Sequence, residues 1–229
     1  MIKQDDIIAI GVSGGKDSLV LLKAMHTLKS FYPKRFDIKA VTIDAGFTGA
    51  DFSSVKNMCQ NMGIEYIVEK TNIKEIVFDK KSEKSPCSLC SKMRRAALCS
   101  AAIKAGCNKI ALGHNRDDSI ETFVMNIIYN GNAMCFEPVT VYDDIGLTIV
   151  RPLIFVPEYM ISKCSKKYKL PITPKICPAD GNTKREETKK LISGIKGNNK
   201  DAAKNIFTAI KKLPEFVKYE VTDDCGNDK

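Results

Sequence analysis

The order of apolar and polar residues predicts alternating strands and helices along the first 170 residues. Short continuous apolar runs are typical of strands buried on both faces, and segments with helical spacing separate them here. The predicted strands are residues 7–12, 37–44, 64–69 and 108–112, with a fifth near 151–153. The predicted helices are residues 17–30, 51–62, 89–105, 116–129 and 157–169. This alternation predicts right-handed crossovers and a parallel sheet, which is an α/β fold.

The remaining segments lack this alternation. Residues 71–85 are polar and lysine-rich, which predicts an exposed excursion. Residues 139–152 alternate weakly around a predicted hairpin turn at 143–146. A proline-rich loop at 171–182 precedes two predicted basic helices, residues 183–195 and 201–213. The chain from residue 214 onwards is expected to be a flexible tail.

Charge and composition narrow the class of partner and the compartment. The 229-residue chain carries 36 Lys and Arg against 27 Asp and Glu, a formal net charge of +9. A basic surplus favours a polyanionic partner such as nucleic acid, although an ordinary basic protein shows the same balance. No apolar run approaches the roughly 18 residues that span a bilayer, and the N-terminus lacks the apolar core of a signal peptide. We therefore expect a cytoplasmic protein without a membrane partner, whose nine cysteines stay reduced.

A glycine-rich turn, here called the first loop, connects the first predicted strand to the first predicted helix. It reads Ser13-Gly14-Gly15-Lys16-Asp17-Ser18. Adjacent glycines let the backbone curl closely around a ligand, and the N–H groups at a helix start attract anions. Two hydroxyls and a lysine add donors and charge, so the turn suits a pyrophosphate. It matches neither the Walker A pattern nor the Rossmann fingerprint, and a plain tight turn with a capping aspartate is the alternative.

A second polar loop follows the fourth predicted strand, and we call it the second loop. It reads Gly113-His114-Asn115-Arg116-Asp117-Asp118. Because the carboxyl ends of parallel strands meet at one edge of a sheet, both loops are expected to lie there. Two carboxylates at a helix start can also serve simply as caps, so this loop alone does not establish a binding site.

Three cysteines are candidates for metal or sulfur chemistry. Cys87 and Cys90 form a Cys-x-x-Cys pair at a predicted helix start, and Cys177 lies in a proline-flanked loop. The pair is compatible with a redox couple, half of a zinc site or part of an iron–sulfur cluster. A four-cysteine zinc ribbon would need a second such pair, which is absent. Three thiolates on a four-iron cluster would leave one iron open to an extra sulfur. The other six cysteines are interpreted as small packing residues.

The first loop, placed after the first strand, resembles the signature of the PP-loop ATP pyrophosphatases. That family cleaves ATP between the α and β phosphates and adenylates a carbonyl oxygen. The resemblance implies an adenine nucleotide alpha-hydrolase-like, three-layer fold with a five-stranded, mainly parallel sheet and a small helical C-terminal extension. The nucleotide-binding domain would span residues 1–170 and the cysteine-bearing, basic C-terminal region residues 171–213. The implied ATP-binding residues are Gly11, Val12, Ser13, Gly14, Gly15, Lys16, Asp17, Ser18, Asp44, Gly113 and His114.

Longer motifs are similar to those of the TtcA group, the tRNA 2-thiocytidine synthetases within that family. Residues 86–95 read PCSLCSKMRR, and residues 113–122 read GHNRDDSIET, with Asn115 where the group usually has His. The resemblance implies a [4Fe-4S] cluster on Cys87, Cys90 and Cys177, with zinc as the less favoured metal. It also implies that Asp117 lies near Mg²⁺ or the reacting phosphate, which suits the preference of Mg²⁺ for oxygen ligands.

The expected reaction is ATP-dependent thiolation of tRNA. A base carbonyl, expected to be a cytidine in the anticodon loop, would attack the α-phosphate of ATP and release pyrophosphate. Sulfur from the cluster or a persulfide would then replace the oxygen and expel AMP. Arg94, one helical turn past Cys90, would neutralise phosphate charge. The basic residues Lys184, Arg185, Lys189, Lys190 and Lys196 would grip the tRNA backbone or form a solvated helix face.

The expected partners are tRNA and a sulfur donor such as a cysteine desulfurase, with a homodimer as one possible assembly. Three alternatives stay open on the sequence. The chain could join an amine to a base as lysidine synthesis does, transfer sulfur to a small molecule, or bind RNA through a metal-containing site without catalysis.

Overall fold

The computed structural model describes residues 1–80, 86–174, 176–177, 183–214 and 216–217. Three parts of the sequence predictions therefore lie outside the described residues: the end of the polar excursion, part of the proline-rich loop, and nearly all of the tail with Cys225. The strands are β1 (Asp6–Gly11), β2 (Phe36–Asp44), β3 (Glu65–Lys70), β4 (Lys109–Ala111), β5 (Val139–Tyr142) and β6 (Leu147–Val150). The helices are α1 (Lys16–Lys29), α2 (Ser53–Asn61), α3 (Pro86–Lys104), α4 (Arg116–Asn130), α5 (Glu158–Lys167), α6 (Lys184–Asn198) and α7 (Ala202–Lys211).

The strands form one sheet in the order β3-β2-β1-β4-β6-β5. All neighbours pair in parallel except β5 and β6, which are antiparallel. The prediction of a mainly parallel α/β sheet is therefore confirmed. The strand order reverses between β1 and β4, and ligands of open α/β sheets bind at the carboxyl ends of the strands at such a reversal. The first and second loops follow β1 and β4, so both lie at this point.

The sheet has six strands where the sequence predicted five. The hairpin turn was predicted correctly, since Asp143–Ile145 form a 3₁₀ turn that Gly146 closes with a φ of 62°. The first arm of this hairpin, β5, adds an antiparallel edge strand that its weak alternation did not reveal. The fifth predicted strand was placed near 151–153, but β6 ends at Val150. Arg151 leaves the ladder and donates its backbone N–H to the Pro138 carbonyl at 2.9 Å.

Apolar side chains cover both faces of the sheet, which makes three layers. On one face Leu22 of α1, Val55 of α2 and Ile161 of α5 pack against the strands. On the other face Leu98 and Ala102 of α3 do so. These four helices contribute apolar residues to the clusters on the two faces of the sheet, as the helical spacing in the sequence required.

The prediction of an exposed excursion over residues 71–85 is wrong for its first half. Ile73 and Val77 are buried in the same apolar cluster as α3, and Glu75–Lys80 form a short π-helix. The reason is their spacing, because two apolar residues four positions apart occupy one side of a helical turn even among lysines.

A third apolar cluster joins the C-terminal helices to the main domain. It contains Ile120 of α4, Ile192 of α6, and Phe207 and Ile210 of α7. The predicted helical C-terminal extension is thus confirmed for the part of the chain that the structure describes. None of the described helices combines the length and the apolar content that crossing a membrane would require.

Candidate functional site

A cavity of about 470 Å³ opens at the carboxyl ends of β1, β2 and β4. This volume lies within the range of ordinary small-ligand sites. The first loop, the end of β2, the start of α3 and the second loop all contribute to its wall. The predicted site residues that line it are Gly11, Val12, Ser13, Asp17, Ser18, Cys87, Cys90, Arg94, Gly113, His114 and Cys177. The structure therefore brings both predicted loops and all three predicted thiols to one cavity.

The first loop is held in shape by its own serines. The backbone N–H of Ser13 donates to Ser18 Oγ at 3.1 Å, and Ser18 Oγ donates to the Gly15 carbonyl at 2.9 Å. Among the described residues, no side chain caps the start of α1. The first N–H groups of α1 thus keep their hydrogen-bonding capacity, and together with the helix dipole they attract phosphate.

Gly14 is the point where the first loop meets the segment that leads to Cys177. Its φ is 81°, and its carbonyl accepts a hydrogen bond from the Thr173 backbone N–H at 3.0 Å. A Cβ at Gly14 would lie 1.9 Å from Thr173 Oγ1. Glycine is therefore required both for the left-handed backbone and for the close approach. This contact draws the proline-rich loop, and Cys177 with it, to the first loop.

Lys16 contacts α5 and is not among the residues that line the cavity. Its Nζ lies 2.8 Å from Glu158 Oε1 and 3.0 Å from Asp17 Oδ2. Burial alone would lower the pKa of Lys16, but the hydrogen bonds to Glu158 and Asp17 outweigh burial and raise it. Lys16 is thus fully charged at neutral pH, and its contact with a phosphate stays a prediction.

The second loop begins α4 with a reciprocal cap and is bonded to the first loop. Asn115 Oδ1 accepts the Asp118 backbone N–H, and Asp118 Oδ2 accepts the Asn115 backbone N–H, both at 3.0 Å. Asn115 Nδ2 also donates to Asp17 Oδ1 at 3.0 Å. A Cβ at Gly113 would lie 3.0 Å from the Asp17 carbonyl oxygen, so a glycine there permits the two loops to touch. The two loops therefore form one hydrogen-bonded unit.

The structure separates the two neighbouring aspartates of the second loop. Asp117 Oδ2 accepts the backbone N–H of Glu158 at 2.8 Å, and Asp117 Oδ1 lies 3.3 Å from Lys196 Nζ. Asp117 therefore caps α5 outside the cavity wall, whereas Asp118 lines the cavity. Burial raises the pKa of Asp118, although the Asn115 backbone N–H and Arg185 oppose the shift. Of the two aspartates Asp118 is the one that lines the cavity, because adjacent helical residues face different directions. The contact of Asp117 with Mg²⁺ or phosphate stays a prediction.

His114 is held as a neutral imidazole at the cavity wall. Its ring stacks on Phe136 with centroids 4.5 Å apart and an interplanar angle of 20°. Burial and the positive charges of Arg151, Arg185 and Arg95 lower the pKa of His114 to about 3. The Nδ1 atom is buried and has no hydrogen-bond partner among the described residues. A neutral ring with one unused nitrogen is suited to bond an uncharged part of a ligand, such as a base or a ribose.

The three thiols line the same cavity as the two loops. Cys87 is exposed, while Cys90 and Cys177 are half-buried. Burial raises the pKa of the Cys90 thiol, the Arg94 guanidinium opposes this, and negative charge on Cys177 and Cys87 raises it further. The thiols are thus within electrostatic range of one another. Arg95, which the sequence analysis left unassigned, lines the cavity beside Arg94 and adds a second positive charge.

Asp44 lies at the end of β2, as predicted, but its carboxylate forms a hydrogen bond within the turn that follows. Asp44 Oδ1 accepts the Gly46 backbone N–H at 2.9 Å. Ile43, one residue earlier, contributes to the cavity wall. Asp44 therefore acts as a turn cap in this structure, and its contact with a nucleotide stays a prediction.

Basic residues of α6 pair with acidic residues near the cavity. Arg185 lies 3.3 Å from Asp118 Oδ1, and Lys189 lies 3.7 Å from Glu158 Oε2. From the sequence these cations are expected to face tRNA or solvent, and neither ion pair is predicted. Asp118 precedes Arg185 by more than 60 residues, so no local pattern in the sequence could have indicated the contact.

The three thiols have the donor chemistry that an iron–sulfur cluster takes. Across the part of the chain that the structure describes, no three His, Cys, Asp or Glu side chains converge closely enough to hold one metal ion. In a [4Fe-4S] cluster each thiolate binds a different iron, so the sulfur atoms lie further apart than around one ion. Three soft sulfur donors on the wall of one cavity are the donor set that such a cluster takes.

Comparison with known proteins places these residues in a family. The model of the PP-loop domain family matches residues 2–174. The tRNA-cytidine(32) 2-sulfurtransferase of Citrifermentans bemidjiense is 33% identical over 216 residues, which cover 93% of this chain and 85% of the relative. The tRNA-cytidine(32) 2-sulfurtransferase 1 of Francisella philomiragia is 34% identical over 215 residues, covering 93% and 84%.

A solved structure shows the same fold. The U34-tRNA thiolase NcsA from Methanococcus maripaludis, solved with its [4Fe-4S] cluster, superposes with a TM-score of 0.75 at 24% identity. The match covers 92% of this chain and 73% of that one. The predicted three-layer architecture is therefore that of a known tRNA thiolase.

Proposed function

Because this chain belongs to the PP-loop domain family and to its tRNA-cytidine(32) 2-sulfurtransferase group, we propose that it thiolates a cytidine of tRNA at the expense of ATP. The observation that carries the proposal is the shared cavity. Both loops, which carry the family motifs, and three cysteine thiols line the same cavity of about 470 Å³. An enzyme that only bound ATP would have no need of thiols there.

The first step is adenylation of the base. The carbonyl oxygen of the base attacks the α-phosphorus of ATP, the bond to pyrophosphate breaks, and pyrophosphate leaves. The N–H groups at the start of α1 and the hydroxyls of Ser13 and Ser18 hold the phosphates. Arg94 and Arg95 offset the negative charge of the leaving group across the cavity. Asp118, rather than Asp117, is the carboxylate that reaches the cavity and is assigned to Mg²⁺.

The second step replaces oxygen by sulfur. Sulfur at the oxidation level of sulfide bonds to the activated carbon, the carbon–oxygen bond breaks, and AMP leaves with the oxygen of the base. Adenylation makes this possible because AMP is a far better leaving group than a carbonyl oxygen. Cys87, Cys90 and Cys177 line the part of the cavity from which the sulfur is delivered. Arg94 lies one helical turn after Cys90.

The proposed cofactor on these thiols is a [4Fe-4S] cluster. Held by three cysteines, such a cluster supplies an iron without a protein ligand, at which an inorganic sulfur can bind. The thiols of Cys87, Cys90 and Cys177 would be its ligands. The cytoplasm, with its reduced thiols and its tRNA, is the compartment that this chemistry requires. The proposed source of sulfur is a cysteine desulfurase, whose persulfide sulfur a cytoplasmic thiol reduces to sulfide while the thiol is oxidised to a disulfide.

The test is an anaerobic assay of the full chain with unmodified tRNA, Mg·ATP and sulfide. We expect tRNA-dependent formation of AMP and pyrophosphate, and 2-thiocytidine in the nucleoside digest by mass spectrometry. In a parallel reaction with lysine in place of sulfide, an amine-linked nucleoside would contradict the proposal and indicate lysidine-type ligation. Turnover without RNA would indicate a small-molecule acceptor, and no AMP at all would indicate a binding protein.

A further inference from the structure

Helix α5 and the turn that ends it carry lysines without acidic neighbours. Four of them are exposed, namely Lys163, Lys166, Lys167 and Lys169. Residues 159–170 contain no Asp or Glu. Among the described residues, the ion pairs of α5 all involve Glu158, the first residue of the helix. This surface therefore holds four positive charges that no carboxylate offsets.

Two exposed tyrosines lie beside these lysines. Lys163 Nζ lies 5.5 Å from the centroid of the Tyr159 ring, and Lys167 Nζ lies 5.5 Å from that of Tyr168. Lys23 of α1 also lies 5.8 Å from the Tyr168 ring. An aromatic ring attracts a cation without neutralising its charge, so the lysines stay available to an anion. We call this surface the α5 face, and its residues are Tyr159, Lys163, Lys166, Lys167, Tyr168 and Lys169.

The α5 face begins beside the first loop. Lys16 of that loop contacts Glu158, and Lys23, seven residues further along α1, contacts Tyr168. Helix α5 therefore runs alongside α1 in the same direction, away from the carboxyl edge of the sheet. Its ten residues span about 15 Å. A nucleic acid that inserts one base into the cavity would have its adjoining backbone within reach of this face.

The cations of α6 differ from those of the α5 face because acidic groups surround them. Arg185 lies 3.3 Å from Asp118 Oδ1, and Lys196 lies 3.3 Å from Asp117 Oδ1. Two glutamates in the first turn of α6 add further negative charge. A polyanion would have to compete with these carboxylates for each cation, so α6 attracts it less than the α5 face does.

The backbone at Lys169 is a second, independent observation. Its φ is 47°, in the left-handed region that favours glycine. The N–H of Lys169 bonds the Lys166 carbonyl, and the N–H of Leu170 bonds the Ser165 carbonyl, which is the usual end of a helix at a glycine. A lysine is less stable than glycine at this position. Backbone strain of this kind points to a function of the exposed side chain.

We propose that the α5 face is the surface on which the phosphate backbone of tRNA docks. The inference rests on the proposed function for the identity of the nucleic acid. The lysines contact phosphates, and the two tyrosine rings are available to stack on unpaired bases next to the one that enters the cavity. The contact with tRNA would then lie on α5 and not on α6, the helix whose cations the sequence suggested.

The experiment measures the Kd of the full chain for unmodified tRNA by fluorescence anisotropy at several salt concentrations, without ATP or sulfide. Lys163→Ala combined with Lys167→Ala should raise Kd about tenfold at about 0.1 M salt. The slope of log Kd against log salt should fall by about 2, one for each lost phosphate contact. Arginine at both positions keeps the charge and should keep the affinity. The matched control, Lys56→Ala with Lys204→Ala, removes two exposed lysines from α2 and α7 and should change Kd by less than about twofold.

Lys169→Gly separates a contact with tRNA from a role in the fold. Glycine relieves the left-handed backbone, so the urea midpoint of this variant should rise. Its Kd for tRNA should nevertheless increase about threefold, because one phosphate contact is lost. A residue that served only the fold would not give a more stable protein with weaker binding.

An unchanged Kd in the α5 double variant would overturn this inference and leave the proposed function standing. A larger loss in Lys184→Ala with Lys190→Ala would place the contact on α6 and overturn it as well. If the α5 variant instead lost self-association in sedimentation at an unchanged Kd, the face would belong to a second copy of the chain. No tRNA binding by the unmodified chain would overturn both proposals, whereas a failure of thiolation alone would leave the binding result unaffected.

Discussion

The two sides of the cavity are built in different ways. On the nucleotide side, the two loops follow adjacent parallel strands and are joined by the bond from Asn115 to Asp17. On the thiol side, Cys87 and Cys90 lie at the start of α3, and Cys177 lies four residues after Thr173, which bonds the first loop. The sheet preforms the phosphate site, whereas the thiol arrangement depends on a few long-range contacts.

This difference matches the chemistry assigned to each side. Phosphate transfer gains most from donors that are already in place, since they cost no reorganisation during the reaction. A sulfur site must instead be loaded and emptied on every turnover. The comparison predicts that changes at the junction of the two sides have the largest effects and that changes within one side leave the other intact.

Replacing Gly14, at the junction, should have the largest effect. In Gly14→Ala the new Cβ would lie 1.9 Å from Thr173 Oγ1 on a backbone with φ of 81°. We expect thiolation to fall about 100-fold, the scale of a 1 Å misplacement of reacting groups. The free energy of unfolding should fall by about 1–2 kcal/mol from the left-handed backbone alone. Turnover by nucleoside mass spectrometry and urea unfolding measure the two effects.

Gly15→Ala is the matched control for this change. Its Cβ would meet only Ser13 Oγ, at 3.4 Å, and the φ of Gly15 is −76°, which any residue adopts. Gly15→Ala should lose clearly less thiolation activity and less unfolding free energy than Gly14→Ala. Equal losses would mean that the contact with Thr173 is unimportant and that any side chain in the loop is harmful.

Glu121 tests the ionic contacts that connect α4 to α6. Burial raises the pKa of Glu121 to about 7, with Arg185 opposing the shift and Asp118 adding to it. Its pKa in the unfolded chain is near 4.5. Because the folded state holds the proton more tightly, the free energy of unfolding falls as pH rises from about 4.5 to 7. Glutamine cannot ionise, so Glu121→Gln should avoid this fall in unfolding free energy. The variant should be more stable than the unmodified chain by up to about 3 kcal/mol at pH 8, and nearly equal to it at pH 4.

Urea unfolding at the two pH values measures this change. Glu65→Gln on β3, a position with a 57% exposed side chain, is the control and should show no comparable gain at pH 8. A destabilised Glu121→Gln at pH 8 would show that the ionised carboxylate is a net attraction for Arg185 and Lys189.

Replacing Asn115, which lies on the nucleotide side only, should have the smallest effect of these changes. Asn115→Ala removes the side-chain half of the cap on α4 and the bond to Asp17. Loss of such a cap costs about 1 kcal/mol of unfolding free energy, measurable in urea. Asn130→Ala, at the exposed end of the same helix, should alter stability by only a few tenths of a kcal/mol.

The features that could be predicted are those that neighbouring residues in the sequence determine. The buried strands and the position of both loops at one edge of the sheet follow from apolar runs and glycine placement, so the location of the nucleotide side was predictable. The edge strand β5 was missed because an edge strand is only half covered and its alternation is weak. Ile73 and Val77 were missed because two buried residues among lysines carry little signal.

The features that could not be predicted are contacts between distant parts of the chain. Which of Asp117 and Asp118 lines the cavity depends on the rotation of α4 relative to the cavity, which sequence spacing does not give. The pairing of Arg185 with Asp118 and of Lys16 with Glu158 depends on how α5 and α6 dock. The grouping of Cys177 with Cys87 and Cys90 was a candidate from the sequence that the family resemblance supported, and the structure places all three on one cavity.

The most direct test of the account is to separate the two chemical steps with Cys177→Ser. In a single-turnover assay with tRNA, Mg·ATP and sulfide, we expect pyrophosphate release to continue within a few-fold while thiolated nucleoside falls below detection. Cys164→Ser, at a half-buried position that packs against the first apolar cluster, should retain both. Thiolated nucleoside formed by Cys177→Ser at the unmodified rate would contradict the claim that nucleotide and thiols act across one cavity.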